Sequence, residues 1–254
     1  MTASDSELIE IFSAIQGEGP IIGLRQVFVR FGKCDVKCDY CDTPLCHVPL
    51  SHCKIESAAA SRNFEKHPNP VAVEQLAAWV QRLDTTPGLH HSISLTGGEP
   101  LLHAKTIVAL KPLLGPSALP FYLETDGHLV KELEEVLDVI DLVGMDIKVE
   151  SATGFPAKFA DNTQFLKTLI DADKEVFVKI VICQSTTDDE LRQAMDVILK
   201  TAPNTRTILQ PVTPFAGRGV PPTPERLLEI DLLARITLPQ VFVIPQTHKM
   251  LNQL

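Results

Sequence analysis

The chain has 254 residues, a formal net charge of −9 at pH 7, 44% hydrophobic residues and 22% charged ones. That composition suits a globular chain with a sizeable core and excludes pervasive disorder, and the acidic balance argues against a nucleic-acid backbone as the main partner, which needs clustered Lys and Arg. No apolar run approaches the length of a membrane span, and the start Met1-Thr-Ala-Ser-Asp-Ser-Glu7 is polar and acidic, unlike a signal peptide, so a cytoplasmic chain with reduced thiols is expected.

In chain order, the first chemistry-bearing stretch is Gln16-Gly17-Glu18-Gly19, an amide and a carboxylate on a glycine-flexed loop. Gln supplies a donor and an acceptor and Glu accepts from two N–H groups, a set suited to a ring with alternating donors and acceptors. A polar surface turn would read the same way. A strand is expected at 27–31, and Arg30 near its end is a natural two-pronged clamp for a carboxylate, with a structural salt bridge as the equal alternative.

Cys34, Cys38 and Cys41 follow with C-x3-C-x2-C spacing. Three thiolates on one short loop can hold three irons of a cubane cluster and leave the fourth open to a small molecule. A zinc knuckle or three buried thiols would use the same residues. Residues 44–70 are rich in Pro, His, Ser, Asn and Ala without clear periodicity, and read as a lid, a binding loop or a disordered insertion. Cys46, His47, His52 and Cys53 within it could form a second metal site or be incidental thiols.

From residue 72 onward, helical-period segments at 72–83, 105–114, 130–137, 163–171, 188–200 and 224–234 alternate with strands at 92–95, 121–124, 142–147, 176–182 and 207–210, and a last apolar run lies at 241–244. Asp188-Asp-Glu190 and Thr223-Pro-Glu225 are helix-start signals. Such alternation implies a single α/β domain of parallel βαβ units with right-handed crossovers. About six units suggest a partial (β/α)6 TIM-like barrel, although a doubly wound open sheet shares the pattern. Both place the chemistry at the C-terminal strand ends. The polar motifs fall there: Thr96-Gly97-Gly98-Glu99-Pro100, Glu124-Thr-Asp-Gly127, Asp146-Ile147-Lys148 and Gln210-Pro-Val-Thr213. Gly97 and Gly98 allow close backbone approach, and Glu99 could hold an ammonium group.

The cysteine spacing together with Thr96–Pro100 resembles the radical S-adenosylmethionine (SAM) superfamily. More narrowly, Ile11-Phe-Ser-Ala-Ile-Gln-Gly-Glu-Gly19, Phe28-Val-Arg-Phe31, Cys38-Asp-Tyr-Cys-Asp-Thr43 and Pro245-Gln-Thr-His-Lys249 resemble the 7-carboxy-7-deazaguanine synthases. The resemblance implies a radical-SAM partial barrel with an insertion over 44–70 and a substrate-closing tail over 245–254. It implies a [4Fe-4S] cluster on Cys34, Cys38 and Cys41, with no catalytic side chain beyond the cluster and the SAM-derived radical. SAM would lie against Gly98, Glu99, Asp146, Ile147, Lys148 and Gln210, and Mg2+ on Thr43. A pterin substrate would meet Ile15, Gln16, Gly17, Glu18, Arg30, Thr96, His248 and the terminal carboxylate of Leu254.

The implied reaction is contraction of the 6-carboxy-5,6,7,8-tetrahydropterin ring to 7-carboxy-7-deazaguanine with loss of ammonia, in queuosine and deazapurine biosynthesis. A reductase such as flavodoxin or ferredoxin and a homodimeric state are also implied. Two departures stand out: Asp126 where the family usually has Asn, and Asp146-Ile147 where several relatives have Ser-Pro. Asp-Ile-Lys would also fit a glycyl-radical-enzyme activase, a rival that leaves Gln16–Glu18 and the tail unexplained. A non-catalytic electron carrier or zinc-stabilised module leaves Gly97-Gly98-Glu99 unexplained.

Overall fold

The structure is a computed structural model that describes residues 5–116 and 118–253. Leu254, expected at the substrate, lies outside the described residues. Strands β1 (Leu8–Ile15) and β2 (Arg25–Phe31) form an antiparallel pair. The hairpin of β3 (His52–Glu56) and β4 (Phe64–Pro68) adds to it, β3 running parallel to β1. Helices and strands then alternate: α1 (Val73–Leu83), β5 (Ser92–Gly97), α2 (Ala104–Leu113), β6 (Phe121–Thr125), α3 (Val130–Val136), β7 (Leu142–Ile147), α4 (Glu150–Thr153), α5 (Phe159–Asp171), β8 (Glu175–Ile182), α6 (Asp188–Thr201), β9 (Arg206–Pro211), α7 (Pro224–Thr237), β10 (Val241–Val243) and α8 (Thr247–Met250).

All ten strands share one sheet in the order β10-β9-β8-β7-β6-β5-β2-β1-β3-β4. From β2 through β5 to β10 every pairing is parallel. The two ends of the sheet, β10 and β4, do not pair with each other among the described residues, as an incomplete barrel requires. No described helix is long and apolar enough to cross a membrane.

The insertion at 44–70 therefore carries sheet rather than an open loop. Its strands are short and lie at the sheet edge, where only alternate residues need be apolar. Cys53 and Ile55 point into the core while His52 and Lys54 stay outside. β1 also went unmarked in the sequence, because its run was read as the start of the Gln16–Gly19 motif. At the other helix starts the signals hold: Thr187 and Glu190 form a reciprocal capping box on α6, and Thr223 caps α7 ahead of Pro224.

The parallel strands are two-faced. Val27, Val29 and Phe31 on β2, Leu123 on β6, Val143, Met145 and Ile147 on β7, and Val178, Ile180 and Ile182 on β8 belong to one large core beneath the helices. The alternate residues Phe28 and Arg30, Tyr122 and Glu124, Gly144 and Asp146, Phe177 and Lys179 line a cavity on the opposite face. Period-two geometry thus sends one set to the helix layer and the other to the site.

Candidate active site

The cavity has a volume of about 510 Å3. The loop that follows β2 forms one wall, with Cys34, Cys38 and Cys41 lining it, and all three thiols are free. The end of β5 presses onto this loop. Gly98 N–H donates to the Phe31 carbonyl at 3.1 Å and Glu99 N–H to the Lys33 carbonyl at 2.9 Å. A Cβ at Gly98 would land on the Lys33 carbonyl and lie 2.9 Å from Cys34 Cβ, and Gly97 sits at φ +128°. Both positions need glycine, the first for contact and the second for backbone conformation.

Glu99 is 1% exposed, and its carboxylate is already engaged by the protein. Oε1 accepts from Leu101 N–H and Thr125 Oγ1, and Oε2 from Asp126 N–H. It joins the ends of β5 and β6, and burial followed by the nearby Asp126 charge pushes its pKa well above the carboxylate range. Asp126 Oδ1 in turn lies 2.7 Å from His128 Nδ1, and His128 Nε2 lies 2.7 Å from Asp35 Oδ2 within the cysteine loop. Burial works against the imidazolium, but Asp126 and Asp35 outweigh it and lift His128 to about 9.

Beside the triad, the 3-10 turn Pro44–His47 brings a fourth thiol, Cys46, against it. The neighbouring Cys46 thiol pulls Cys41 down to about 6 against the effect of burial and lowers Cys34 as well. Burial pushes Cys38 up.

The next wall is a chain of charges on β7 and β8. Lys148 Nζ donates to Asp146 Oδ2 at 2.8 Å and to the Tyr40 hydroxyl at 3.1 Å. Lys179 Nζ lies 2.6 Å from Glu18 Oε2 and 3.3 Å from Asp146 Oδ2. Burial alone would lower Lys179, yet the carboxylates of Asp146 and Glu18 raise it. Burial alone would raise Glu18, and Lys179 with the Gln246 amide holds it well below its ordinary value. Two buried oxygens on this wall, Asp146 Oδ1 and Gln210 Oε1, have no protein partner. Such orphans in a cavity call for a polar ligand or water.

The floor is a buried polar network. Gln16 Nε2 donates to Gln26 Oε1 at 2.9 Å and to Glu124 Oε1 at 2.8 Å, while its Oε1 accepts from Gly17 and Glu18 N–H. The amide is thus spent on the protein itself, shaping the Gly17–Glu18 turn and holding Glu124. Thr96 Oγ1 donates to Glu124 Oε2 at 2.8 Å. Burial and the Glu18 charge raise the Glu124 pKa.

Arg30 crosses from floor to mouth. Glu10 takes its Nε at 2.9 Å, and Nη1 has a 3.4 Å contact to the Thr43 hydroxyl. The salt bridge and the clamp expected at Arg30 are therefore compatible: Glu10 orients the head, and the outer edge stays at the cavity. Thr43 Oγ1 donates to Asp42 Oδ1 at 3.2 Å.

The tail closes the mouth. Thr247 N–H donates to the Gly17 carbonyl at 2.9 Å, Gln246 Nε2 to Glu18 Oε1 at 2.8 Å, and Lys249 Nζ lies 2.6 Å from Asp42 Oδ2. Arg62, from the turn between β3 and β4, donates to the Asn252 carbonyl at 2.9 Å. Position 17 must be glycine here, since a Cβ would collide with the His248 backbone and side chain.

Of the sequence-predicted residues, Ile15, Gln16, Gly17, Glu18, Arg30, Thr43, Thr96, Gly98, Glu99, Asp146, Lys148, Gln210, His248 and the three cysteines all line this cavity. Ile147 does not: its side chain is fully buried in the helix-side core, one residue out of phase with Asp146 and Lys148. Cys46 and His47 meet Cys41, whereas Cys53 lies in the core, so of the two alternatives for Cys46, His47, His52 and Cys53 the joint metal site does not form. The sequence reading missed Lys179, Tyr40 and the floor role of Glu124. A lysine at an inward register position of the apolar strand β8 was the available signal.

The donor set fits an iron–sulfur cluster with SAM: three free thiols on a glycine-pressed loop, next to buried polar atoms lacking protein partners. Comparisons agree. Residues 28–198 match the radical SAM superfamily. The chain is 42% identical over 255 residues to the 7-carboxy-7-deazaguanine synthase of Geobacter sulfurreducens, covering 100% of both chains. It is 32% identical to that of Thermococcus kodakarensis, over 82% of this chain and 84% of the relative. The fold is similar to the crystal structure of QueE from Escherichia coli, with TM-score 0.57 and 19% identity over 94% of this chain and 93% of that one. It also resembles a radical SAM methyltransferase from Sphaerobacter thermophilus, with TM-score 0.61 and 12% identity over 93% of this chain and 77% of the other.

Proposed function

This chain belongs to the 7-carboxy-7-deazaguanine synthase family within the radical SAM superfamily, and we propose that it contracts 6-carboxy-5,6,7,8-tetrahydropterin to 7-carboxy-7-deazaguanine with release of ammonia. The observation that carries this reading is the sharing of one cavity by the cysteine loop and a carboxylate-and-amide floor edged by Arg30. Substrate less ammonia equals product, so the ring contraction needs no net oxidant.

Cys34, Cys38 and Cys41 would hold the cluster, which with SAM bound would supply a carbon radical able to take hydrogen from the substrate. Gly98 lets the chain after β5 pack directly on the cysteine loop, and Asp146 and Gln210 offer SAM their unpaired oxygens. Lys148 and Lys179 both pair with the Asp146 carboxylate and fix its position on this wall. At the other end, Arg30 receives the pterin carboxylate through its outer nitrogens. Glu18, held ionised by Lys179, accepts N–H groups of the pterin ring, and Thr96 sets the Glu124 carboxyl on the floor. A carboxyl with a raised pKa can hold or pass a proton at the ring nitrogen that leaves. Tail residue His248 then excludes water above Gly17.

Thr43 provides a hard oxygen for Mg2+, an ion that typically takes few protein ligands and completes its shell with substrate and water oxygens. The reading further includes a reductase of the flavodoxin or ferredoxin type and work in a reducing cytoplasm, which six free thiols support. A homodimer is part of it too; the exposed ridge Leu228, Leu232 and Ile236 on α7 supports this, and sedimentation tests it.

The test of the activity is anaerobic turnover of the reconstituted chain with SAM, reductant, Mg2+ and the carboxypterin, read by mass. A SAM-dependent product lighter by one ammonia is expected. SAM cleavage with the pterin untouched would overturn the ring contraction and favour an activase.

A further inference from the structure

Cys46 and His47 are not used by the ring-contraction chemistry, yet the fold places both against the cluster cysteines. Cys46 N–H donates to the Thr43 carbonyl at 3.1 Å, closing the 3-10 turn that swings residues 46 and 47 back over Cys41. Ligating atoms of Cys41, Cys46 and His47 all lie within 4.8 Å of one another. Cys46 is 4% exposed. His47 Nε2 is shielded from solvent and has no hydrogen-bond partner.

We infer that the cluster-free chain holds one thiophilic divalent cation of the zinc type on Cys41, Cys46 and His47, with water completing a tetrahedral shell. A tetrahedral ion with Zn–S about 2.3 Å and Zn–N about 2.0 Å spaces its ligand atoms roughly 3.5–4 Å apart, which matches this compact set. A cubane places each thiolate on a separate iron. Two sulfurs and one imidazole form a three-ligand zinc set of the kind that keeps a position open to water, and the orphaned imidazole nitrogen would gain the partner it lacks. Binding would displace the thiol protons of the set, so it strengthens as pH rises.

One ligand, Cys41, is shared with the cluster, and Cys38 is not part of the set. The two metal states are therefore mutually exclusive: cluster assembly recruits Cys34 and Cys38 and releases Cys46 and His47. Ferrous iron could occupy the same donors but sits below zinc in intrinsic affinity.

The test uses the full chain, stripped of cluster anaerobically, reduced and titrated with Co2+. One equivalent should give an intense thiolate-to-cobalt absorption with tetrahedral ligand-field bands, and one equivalent of Zn2+ should erase them. Cys46→Ser and His47→Ala should each weaken binding at least tenfold, whereas Cys38→Ser should leave it unchanged. Cys46→Ser reconstituted with iron and sulfide should still carry a full four-iron cluster. Absence of the cobalt spectrum would overturn the inference. So would Cys38→Ser weakening it as much as Cys46→Ser, or a failure of Cys46→Ser to hold four irons while circular dichroism shows it folded. If Cys46→Ser does not fold, His47→Ala decides, and parental cobalt affinity in that variant would overturn the site.

Discussion

The two ends of the cavity are built by different means. At the cluster end, main chain packs on main chain: Gly98 and Glu99 hydrogen-bond to Phe31 and Lys33, and there is no room for a side chain at Gly98. At the substrate end, the walls are held by side chains that meet from remote parts of the chain. Glu18 is gripped by Lys179, 161 residues away, and by Gln246, 228 residues away. Rigid backbone contact suits a cluster that must keep its position. A network of side chains suits a pocket that must open for a substrate and close behind it.

Substitutions at either end should separate the two. Gly98→Ala should act as sharply as removal of a cluster thiol such as Cys38→Ala, because its Cβ lands on the Lys33 carbonyl beside Cys34. Iron content after reconstitution should fall to near background with SAM cleavage lost, and a normal four-iron content would show that the contact yields. At the substrate end, Lys179→Met should leave iron content intact but strip the Glu18 carboxylate of its buried cation, while Asp146 keeps Lys148. Breaking a buried pair in this way costs on the order of 3 kcal/mol, read as a lower midpoint in urea unfolding of the cluster-free chain. An unchanged midpoint would mean that Lys179 does not hold the network.

Arg30→Ala should raise KM for the carboxypterin roughly 10- to 100-fold, the size of a lost charge-assisted contact of about 1.5–3 kcal/mol. SAM binding should hardly change, so equal losses for both ligands would erase the distinction between the ends. Thr43→Ala should reduce the stimulation by Mg2+ several-fold, and undiminished stimulation would remove Thr43 from the metal site.

The smallest effect concerns the His128 bridge between Asp126 and Asp35. Its imidazole is raised from an ordinary value of 6.5 to about 9 in the folded chain. The sign follows: the stabilisation is fully present below pH 6.5 and fades as pH rises through about 9. A shift of this size is worth about 2 kcal/mol after allowance for partly exposed Asp35. His128→Asn should flatten that stretch of the stability profile, and an unchanged slope would assign it to another group.

The same contrast explains what the sequence could reveal. Cluster-end features are local strings, Cys34 to Cys41 and Thr96 to Pro100, so spacing alone located them. The helices and parallel strands from residue 72 onward were legible because each carries a full apolar face. β3 and β4 were not, since His52-Cys-Lys-Ile-Glu56 and Phe64-Glu-Lys-His-Pro68 are short, with polar residues between the few apolar ones, and β4 is the sheet's edge. Lys179 was hidden for the opposite reason, as one inward cation in an otherwise apolar strand. Gln16 carried a motif but not its role: its partners Gln26 and Glu124 become neighbours only when the sheet forms. For Ile147, the strand period places it beneath the helices, whatever motif it belongs to.

If both ligands meet in one cavity, hydrogen should pass directly from one to the other, and isotope transfer measures that. The carboxypterin carrying deuterium at C6 would be turned over anaerobically with unlabelled SAM, and the 5′-deoxyadenosyl group analysed by mass. Deuterium in that group is the predicted result, because floor and cysteine loop face the same space. Efficient product formation with none of the label transferred would contradict it.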